Sequence, residues 1–367
     1  MARSLRPPLT GIGRYTANLA GALSELPEVD ISLFLTRDAD VNGLRCERVT
    51  APIATPHEAL RGLWEQTLVP FQVARGGFDV YHSPNYTLPI ALSRPGVLTI
   101  HDLAFLDSRF HTLRLRTYLR LLLSAAMTRA QQVITVSRHT QTQLEKRFPA
   151  AIGKTTTIYP GLDPLFSQQP GTGAVREFRE RRGLDSPYVL FVGTIEPRKN
   201  VRRLIRAFER AMSDTGLPHR LVLCGHWGWR YGAAEKALAA SPVRDRITVT
   251  GYVPAEELPL YYAGADALLY PSLHEGFGFP PLEAMALGTP VVTSNSTSLP
   301  EVVGDAAVSV RPESVTDIAA GLVQVLTSQP LADDLRERGP GRAGQFSWQA
   351  AAQQTLDVYT AAVGGRP

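Results

Sequence analysis

Residues 270–304 read YPSLHEGFGFPPLEAMALGTPVVTSNSTSLPEVVG. The apolar run ADALLYPS, 265–272, leads into a glycine-rich turn. A short helical stretch, PLEAMAL, follows and is stopped by Gly288, and a second apolar run, PVVTS, comes at once. Strand, loop, helix, strand is one half of a nucleotide-binding α/β unit. Pro281 suits the start of the helix, where a missing N–H costs nothing, and Gly288 suits its end. The loop Glu275-Gly276-Phe277-Gly278-Phe279 can turn backbone N–H groups toward an anion. Two carboxylates frame it, Glu275 in the loop and Glu283 in the expected first helical turn, with the spacing E-x7-E. An acid at a helix start can simply complement the helix dipole. It can equally accept paired sugar hydroxyls. One acid for a ribose and one for a hexose, with N–H groups between them, would make a nucleotide-sugar site. Spacing alone leaves both readings open.

Working outward, the stretch PYVLFVGTIEPRKN, 187–200, repeats the strand-to-loop pattern and places Arg198 and Lys199 at the head of the next helix. Two cations there oppose the helix dipole and call for a bound anion. Nearer the N-terminus, FDVYHSPN ends a strand at His82, Ser83 and Asn85, and PGVLTIHD ends one at His101 and Asp102. Ligands bind at that edge of an open α/β sheet, though a histidine there also serves simply to close a strand. TGIGRY, 10–15, holds Gly11 and Gly13 before a helix. Thr16 breaks the full dinucleotide fingerprint, which disfavours a dehydrogenase. The stretch 110–130 reads as a long helix carrying Arg114, Arg116, Arg120 and Arg129. That is either a solvated basic face or a membrane-surface helix.

The combination HEGFGFPPLEAMALGTPVVTS resembles the donor site of glycosyltransferase family four, the retaining group 1 enzymes of GT-B fold. The resemblance implies two Rossmann-like doubly wound domains facing across a cleft. It implies that Glu275 contacts the transferred sugar and Glu283 the ribose, with the amides of Gly276, Phe277, Gly278 and Phe279 on the diphosphate and sugar. Gly193, Thr194, Arg198 and Lys199 would bind diphosphate; Thr194 stands where an arginine is common, so Arg198 takes that task. Tyr252 and Val253, after Gly251, would line the base. Gly11 and Gly13 would approach the diphosphate, and His101 would face the donor sugar and the acceptor. His82, Asn85 and Asp102 are acceptor-side candidates. TGIGRY, IHDL and VGTIEPRKN further resemble bacterial mannosyltransferases of surface-polysaccharide assembly, which points to GDP-mannose as donor and a glycan or lipid-linked acceptor. Alternatives are another GT-B enzyme, such as a nucleotide-sugar epimerase or a phosphorylase, and a non-catalytic nucleotide-sugar-binding protein.

The composition fits this reading. The chain has 367 residues, 44% hydrophobic and 20% charged, enough for two domains. Expected boundaries are 1–167 for the acceptor-side domain, 168–346 for the nucleotide-sugar domain and 347–367 for a helix crossing back. The linker is the Pro- and Gly-containing stretch 168–175. Cys46 and Cys224 make no disulfide framework. No run reaches membrane-spanning length; a cytoplasmic enzyme, either free or peripheral on the inner membrane face, is expected. No strand-end acidic cluster suggests a metal; the donor is then handled without metal or other cofactor. A net charge of +4 is too mild to call for nucleic acid. The opening residues MARSLRPPLT lack a buried-strand pattern, and Pro7 and Pro8 break one. Similar chains begin with a strand before the glycine loop, whose end Ala2–Leu5 resembles. Residues 1–5 are therefore expected to form at most a strand stub, with native residues upstream of Met1.

Overall fold

The structure, a computed structural model, describes residue 5 and residues 11–35, 46–50, 58–107, 109–110 and 112–364. Two compact units are present: Met1–Gly161 with Ser347–Pro367, and Leu162–Phe346.

The first unit runs α1 (Gly11–Ser24), β1 (Ser32–Leu35), β2 (Glu47–Thr50), α2 (Glu58–Arg75), β3 (Tyr81–Ser83), β4 (Gly96–Ile100), α3 (Leu113–Arg129), β5 (Gln132–Thr135), α4 (Arg138–Arg147) and β6 (Thr155–Thr157). β1 and β2 pair in parallel, and a second parallel sheet has the order β3-β4-β5-β6. Every residue of β4 is buried, as expected for a parallel strand covered on both faces. Its neighbours pack Trp64, Val69 and Val73 of α2 and Leu123, Ala126 and Met127 of α3 into one core. Pro70 lies inside α2; the buried Val69 and Val73 on either side hold the helix on the core. Ser137 caps α4 as its sequence position suggests, accepting the Thr140 N–H at 3.1 Å. The expected strand stub at residues 1–5 lies outside the described residues, apart from Leu5, which is buried against Leu35.

The second unit runs α5 (Thr172–Arg182), β7 (Tyr188–Val192), α6 (Val201–Thr215), β8 (Arg220–Cys224), α7 (Gly232–Ala239), β9 (Ile247–Gly251), α8 (Leu258–Ala263), β10 (Ala267–Tyr270), α9 (Phe279–Ala286), β11 (Val291–Ser294), α10 (Leu299–Val303), β12 (Val308–Val310), α11 (Val315–Thr327) and α12 (Gln329–Ala343). Its six parallel strands have the order β12-β11-β10-β7-β8-β9. The unit's first strand, β7, is therefore central, and the winding reverses between β7 and β10, as in a Rossmann fold. A last helix, α13 (Trp348–Gly364), returns to the first unit. There Trp348 meets Tyr15 edge-on at 5.5 Å, and His82 bonds Tyr359 at 2.7 Å.

The unit boundary falls six residues before the expected one. Leu162 donates its N–H to Phe346 at 2.9 Å, and Phe166 packs edge-on against Tyr262 at 5.8 Å. Both contacts tie 162–167 to the second unit. Much of the expected linker is the start of α5, with Gly171 at its N-cap.

The ends of β7 and β8 are locked at two glycines. Gly193 donates its N–H to the Cys224 carbonyl at 2.9 Å, and a Cβ on Gly225 would lie 2.0 Å from the Gly193 oxygen. Gly225→Ala is expected to cost about 1–3 kcal/mol through overpacking. The measurement is a lower urea midpoint at unchanged slope; a wild-type midpoint would show that the strand ends shift without cost.

Candidate functional site in the second unit

Where winding reverses, the loops after β7 and β10 leave their strands side by side. Leu273 donates its N–H to the Arg198 carbonyl at 2.7 Å, tying the two loops together. Asn200 sits in the left-handed region at φ 62° and donates its amide to the carbonyls of Pro271 (2.9 Å) and Pro312 (2.7 Å). Asparagine tolerates that conformation better than most residues, so one side chain both turns the chain into α6 and anchors the loop.

These loops bring Glu275, Arg198 and Lys199 together. Glu275 is 6% exposed. Its Oε1 accepts from Lys199 Nζ at 2.7 Å and from the Tyr270 hydroxyl at 2.9 Å, and its Oε2 accepts from Arg198 Nη1 at 2.8 Å. Burial alone would raise this carboxyl, but Lys199 and Arg198 beside it override that and hold it down to about 2. Burial and the neighbouring Arg198 push the Lys199 ammonium down, against the pull of Glu275. Arg198 also reaches Glu196 Oε1 at 2.5 Å, and Glu196 Oε2 accepts the Trp229 indole N–H at 2.8 Å.

Arg198 and Lys199, expected at the head of the helix after β7, stand just before it. Both lie on a 3₁₀ turn, Pro197–Lys199, ahead of α6, and Glu196 and Glu275 supply their counter-charges. The sequence reading missed Tyr270 and Trp229 as parts of the cluster. Tyr270 at a strand end was a visible signal. Trp229, 33 residues from Glu196, carried none.

Beyond Glu275 the loop is held by Ser298, whose hydroxyl contacts the carbonyls of Glu275 (3.0 Å) and Phe277 (2.7 Å). Gly278, the N-cap of α9, has φ 123°, and a Cβ there would meet Leu299 at 2.7 Å. Only glycine fits both demands. Pro280 and Pro281 have no N–H, so amide donors to an anion would have to come from residues 276–279. Phe277 is buried edge-on to Phe279 and Phe346, so its side chain belongs to the core.

Glu283 is not in the first turn as expected. α9 begins at Phe279, so Glu283 lies one turn in, 2% exposed, and its Oε2 accepts the Tyr262 hydroxyl at 2.7 Å. That position weakens the helix-dipole reading. Gly193 and Thr194 follow β7 directly. After β9 the turn at Gly251 leaves Tyr252 57% exposed and Val253 buried.

The first-unit candidates have different surroundings. Gly11 and Gly13 lie in the first turn of α1 rather than in a loop before it. His101 is buried, donates Nε2–H to the Pro84 carbonyl at 2.8 Å and meets the Tyr15 ring edge-on at 4.7 Å; burial lowers its pKa. Both ring nitrogens of His82 are engaged, with Tyr359 and Thr99, each at 2.7 Å, and burial takes its pKa down to about 3. Asp102 accepts the Ala104 N–H at 3.0 Å, and Asn85 accepts the Tyr86 N–H at 2.9 Å, so both shape turns at strand ends.

Among the described residues no group of three or more His, Cys, Asp or Glu side chains could hold a metal ion. The chemistry in view is a buried, ionised carboxylate with two cations. It can accept hydroxyl hydrogen bonds and face anionic oxygens, but with a pKa near 2 it cannot act as a general acid at neutral pH.

The family model described as Glycosyltransferase Family 4 matches residues 9–165, and that described as Glycosyl transferases group 1 matches residues 175–342. The chain is 32% identical to the O-antigen chain mannosyltransferase B of Escherichia coli, over 97% of each protein. It is 27% identical to the O-antigen chain mannosyltransferase RfbU of Salmonella typhimurium, covering 83% of this chain and 84% of that protein. Its fold matches the sucrose-phosphate synthase from Thermosynechococcus elongatus with a TM-score of 0.77 at 23% identity, over 96% of this chain and 93% of that one.

Proposed function

The chain belongs to the group 1 glycosyltransferases of GT-B fold, and we propose that it transfers a mannosyl residue, with retention, from GDP-mannose to a glycan or lipid-linked acceptor. The observation that carries the reading is the Glu275–Lys199–Arg198 cluster at the switch point of the second unit. In the reaction the bond from the anomeric carbon to the diphosphate oxygen breaks, and a bond from that carbon to the acceptor oxygen forms. The acceptor proton passes to the departing diphosphate, and nucleoside diphosphate is released. Arg198 and Lys199 meet the negative charge that develops on the leaving group, where preorganised charge has its largest effect. Glu275 accepts hydroxyls of the transferred sugar, and Glu283 those of the ribose. Tyr252 and Val253 border the base, and the amides of Gly276–Phe279 with Gly193 and Thr194 face the diphosphate. For His101, Gly11 and Gly13 of the first unit, a role toward sugar, acceptor or diphosphate rests on the family resemblance alone. The choice of mannose is supported by the names of the two O-antigen relatives.

The test is to incubate the purified protein with a panel of nucleotide sugars and mannosylated or lipid-linked acceptors, and to read product mass and anomeric configuration. GDP-mannose with an α-linked product is the expected result. Donor turnover without acceptor would point to an epimerase; donor binding without turnover, to a non-catalytic protein.

Two protein cations beside the diphosphate position can take the place of a metal. Transfer is therefore expected to be unchanged in EDTA, measured as initial rate. A collapse restored by Mn²⁺ or Mg²⁺ would overturn metal independence.

A further inference from the structure

Three non-glycine residues among those described take positive φ: Asn200, Arg230 and Thr297. Asn200 is accounted for by its two carbonyl partners. Thr297, at φ 59°, is the β-branched one, and left-handed backbone is hardest on a branched side chain, whose Cβ crowds the following carbonyl. It lies in the short connection from β11 to α10. Such a conformation persists only where the surroundings over-determine it, and it gathers at working sites.

The loop after β10 is what engages Thr297. Its Oγ1 accepts the Glu275 N–H at 3.3 Å and donates to the Ser296 carbonyl at 2.7 Å, so the hydroxyl is used both as acceptor and as donor. The next two residues grip the same loop. The Ser298 hydroxyl contacts the carbonyls of Glu275 and Phe277, and Leu299 stands where a Cβ on Gly278 would lie at 2.7 Å. Behind them the connection is fixed to its surroundings. Asn295 donates its N–H to the Val310 carbonyl of β12 at 2.9 Å, and Ser294 its hydroxyl to the Ser272 carbonyl. Residues 297–299 therefore run along the loop Glu275–Gly278. Thr297 touches it at the residue whose carboxylate pairs with Lys199 and Arg198.

We propose that Thr297 is a positioning residue, its strained turn fixing the backbone of Glu275 and so the direction of that carboxylate toward the transferred sugar. The inference rests on the reading of Glu275 as the sugar-facing group. Lys199 and Arg198 hold the carboxylate oxygens and Ser298 the carbonyl. The amide N–H is the remaining backbone handle, and Thr297 takes it. Glycine would relax the turn but offer no hydroxyl. Stability and transfer should therefore part company at this position.

The experiment compares the full chain with Thr297→Gly, Thr297→Val and Thr297→Ser. Loss of the hydroxyl in the glycine and valine variants should lower kcat roughly tenfold, the scale of a small misplacement of a reacting group. Binding of nucleoside diphosphate, which carries no sugar, should stay at the wild-type Kd. The Glu275 amide should exchange its hydrogen roughly tenfold faster in both. The urea midpoint should fall for valine, which keeps the strain without the hydrogen bond, and stay at or above wild type for glycine. Serine keeps the hydroxyl and should restore kcat and slow exchange. Wild-type kcat in both the glycine and valine variants, or unchanged exchange at Glu275, would overturn the proposal. So would a glycine midpoint that falls in step with kcat, since Thr297 would then only hold the fold, or a serine variant as slow as glycine. Absence of any transfer by the wild type would count against the proposed function instead, and the exchange rates and midpoints would still decide whether Thr297 fixes Glu275.

Discussion

Glu275→Gln lowers sugar transfer and acid-sensitive stability together. Glutamine keeps the shape of the carboxylate and removes its charge, leaving Lys199 and Arg198 without the counter-ion that holds them. Transfer should fall by about 10²–10³ in kcat, the usual loss when one preorganised group is removed from a buried reacting centre. Breaking a buried pair by removing one partner costs about 3–5 kcal/mol, so the melting temperature should drop as well. The pH dependence separates this from general damage. The folded carboxyl is held at about 2 against an ordinary value of 4.5. Because the folded value is depressed, the stabilisation is fully present above about pH 4.5 and is lost as pH falls toward 2. That drop corresponds to about 3 kcal/mol. Urea midpoints of wild type and variant between pH 7 and pH 3 should therefore converge as the pH falls. Wild-type turnover in the variant would remove Glu275 from the chemistry. Parallel midpoint curves would mean that its ion pairs do not stabilise the fold.

Glu283→Ala is expected to weaken binding of the nucleoside diphosphate by about 1–3 kcal/mol, the range for a lost charged hydrogen bond, which is roughly five- to 150-fold in Kd. The carboxylate is buried on α9 and oriented by the Tyr262 hydroxyl of α8. Tyr262→Phe removes only that orientation and should weaken binding by a smaller factor in the same direction. Calorimetry of the nucleotide alone reads both effects without requiring an acceptor. If affinity is unchanged in Glu283→Ala while the melting temperature falls, Glu283 joins α8 to α9 and does not contact the ribose.

Much of the second unit was legible in the chain itself. Buried parallel strands announce themselves as unbroken apolar runs, and YVLFV and ALLY became β7 and β10. Gly288 takes φ 68° just past α9, as a glycine after a helix does. Ser137 capped α4. These features depend on a few neighbouring residues, and local chemistry decides them. Boundaries were read less well. Residues 162–167 joined the second unit through Phe346 and Tyr262, partners 184 and 96 residues away from Leu162 and Phe166.

The site divides along the same line. By itself the sequence determined which residue types stand at which strand ends: Glu275 after β10, Arg198 and Lys199 after β7, and glycine where the backbone turns tightly. Only the tertiary structure decided that these two strand ends are neighbours. Between them lie 76 residues from Lys199 to Glu275 and two further strands, β8 and β9, which the fold places on the far side of β7. Strand order in a parallel sheet leaves no periodic mark on the chain, because every buried strand carries the same apolar pattern. The pairing of Glu275 with both cations, the recruitment of Tyr270, and the anchoring of Glu196 by Trp229 all follow from that order. For the same reason the sequence showed two cations set against a helix dipole, whereas only the folded chain shows the carboxylates of Glu196 and Glu275 beside them.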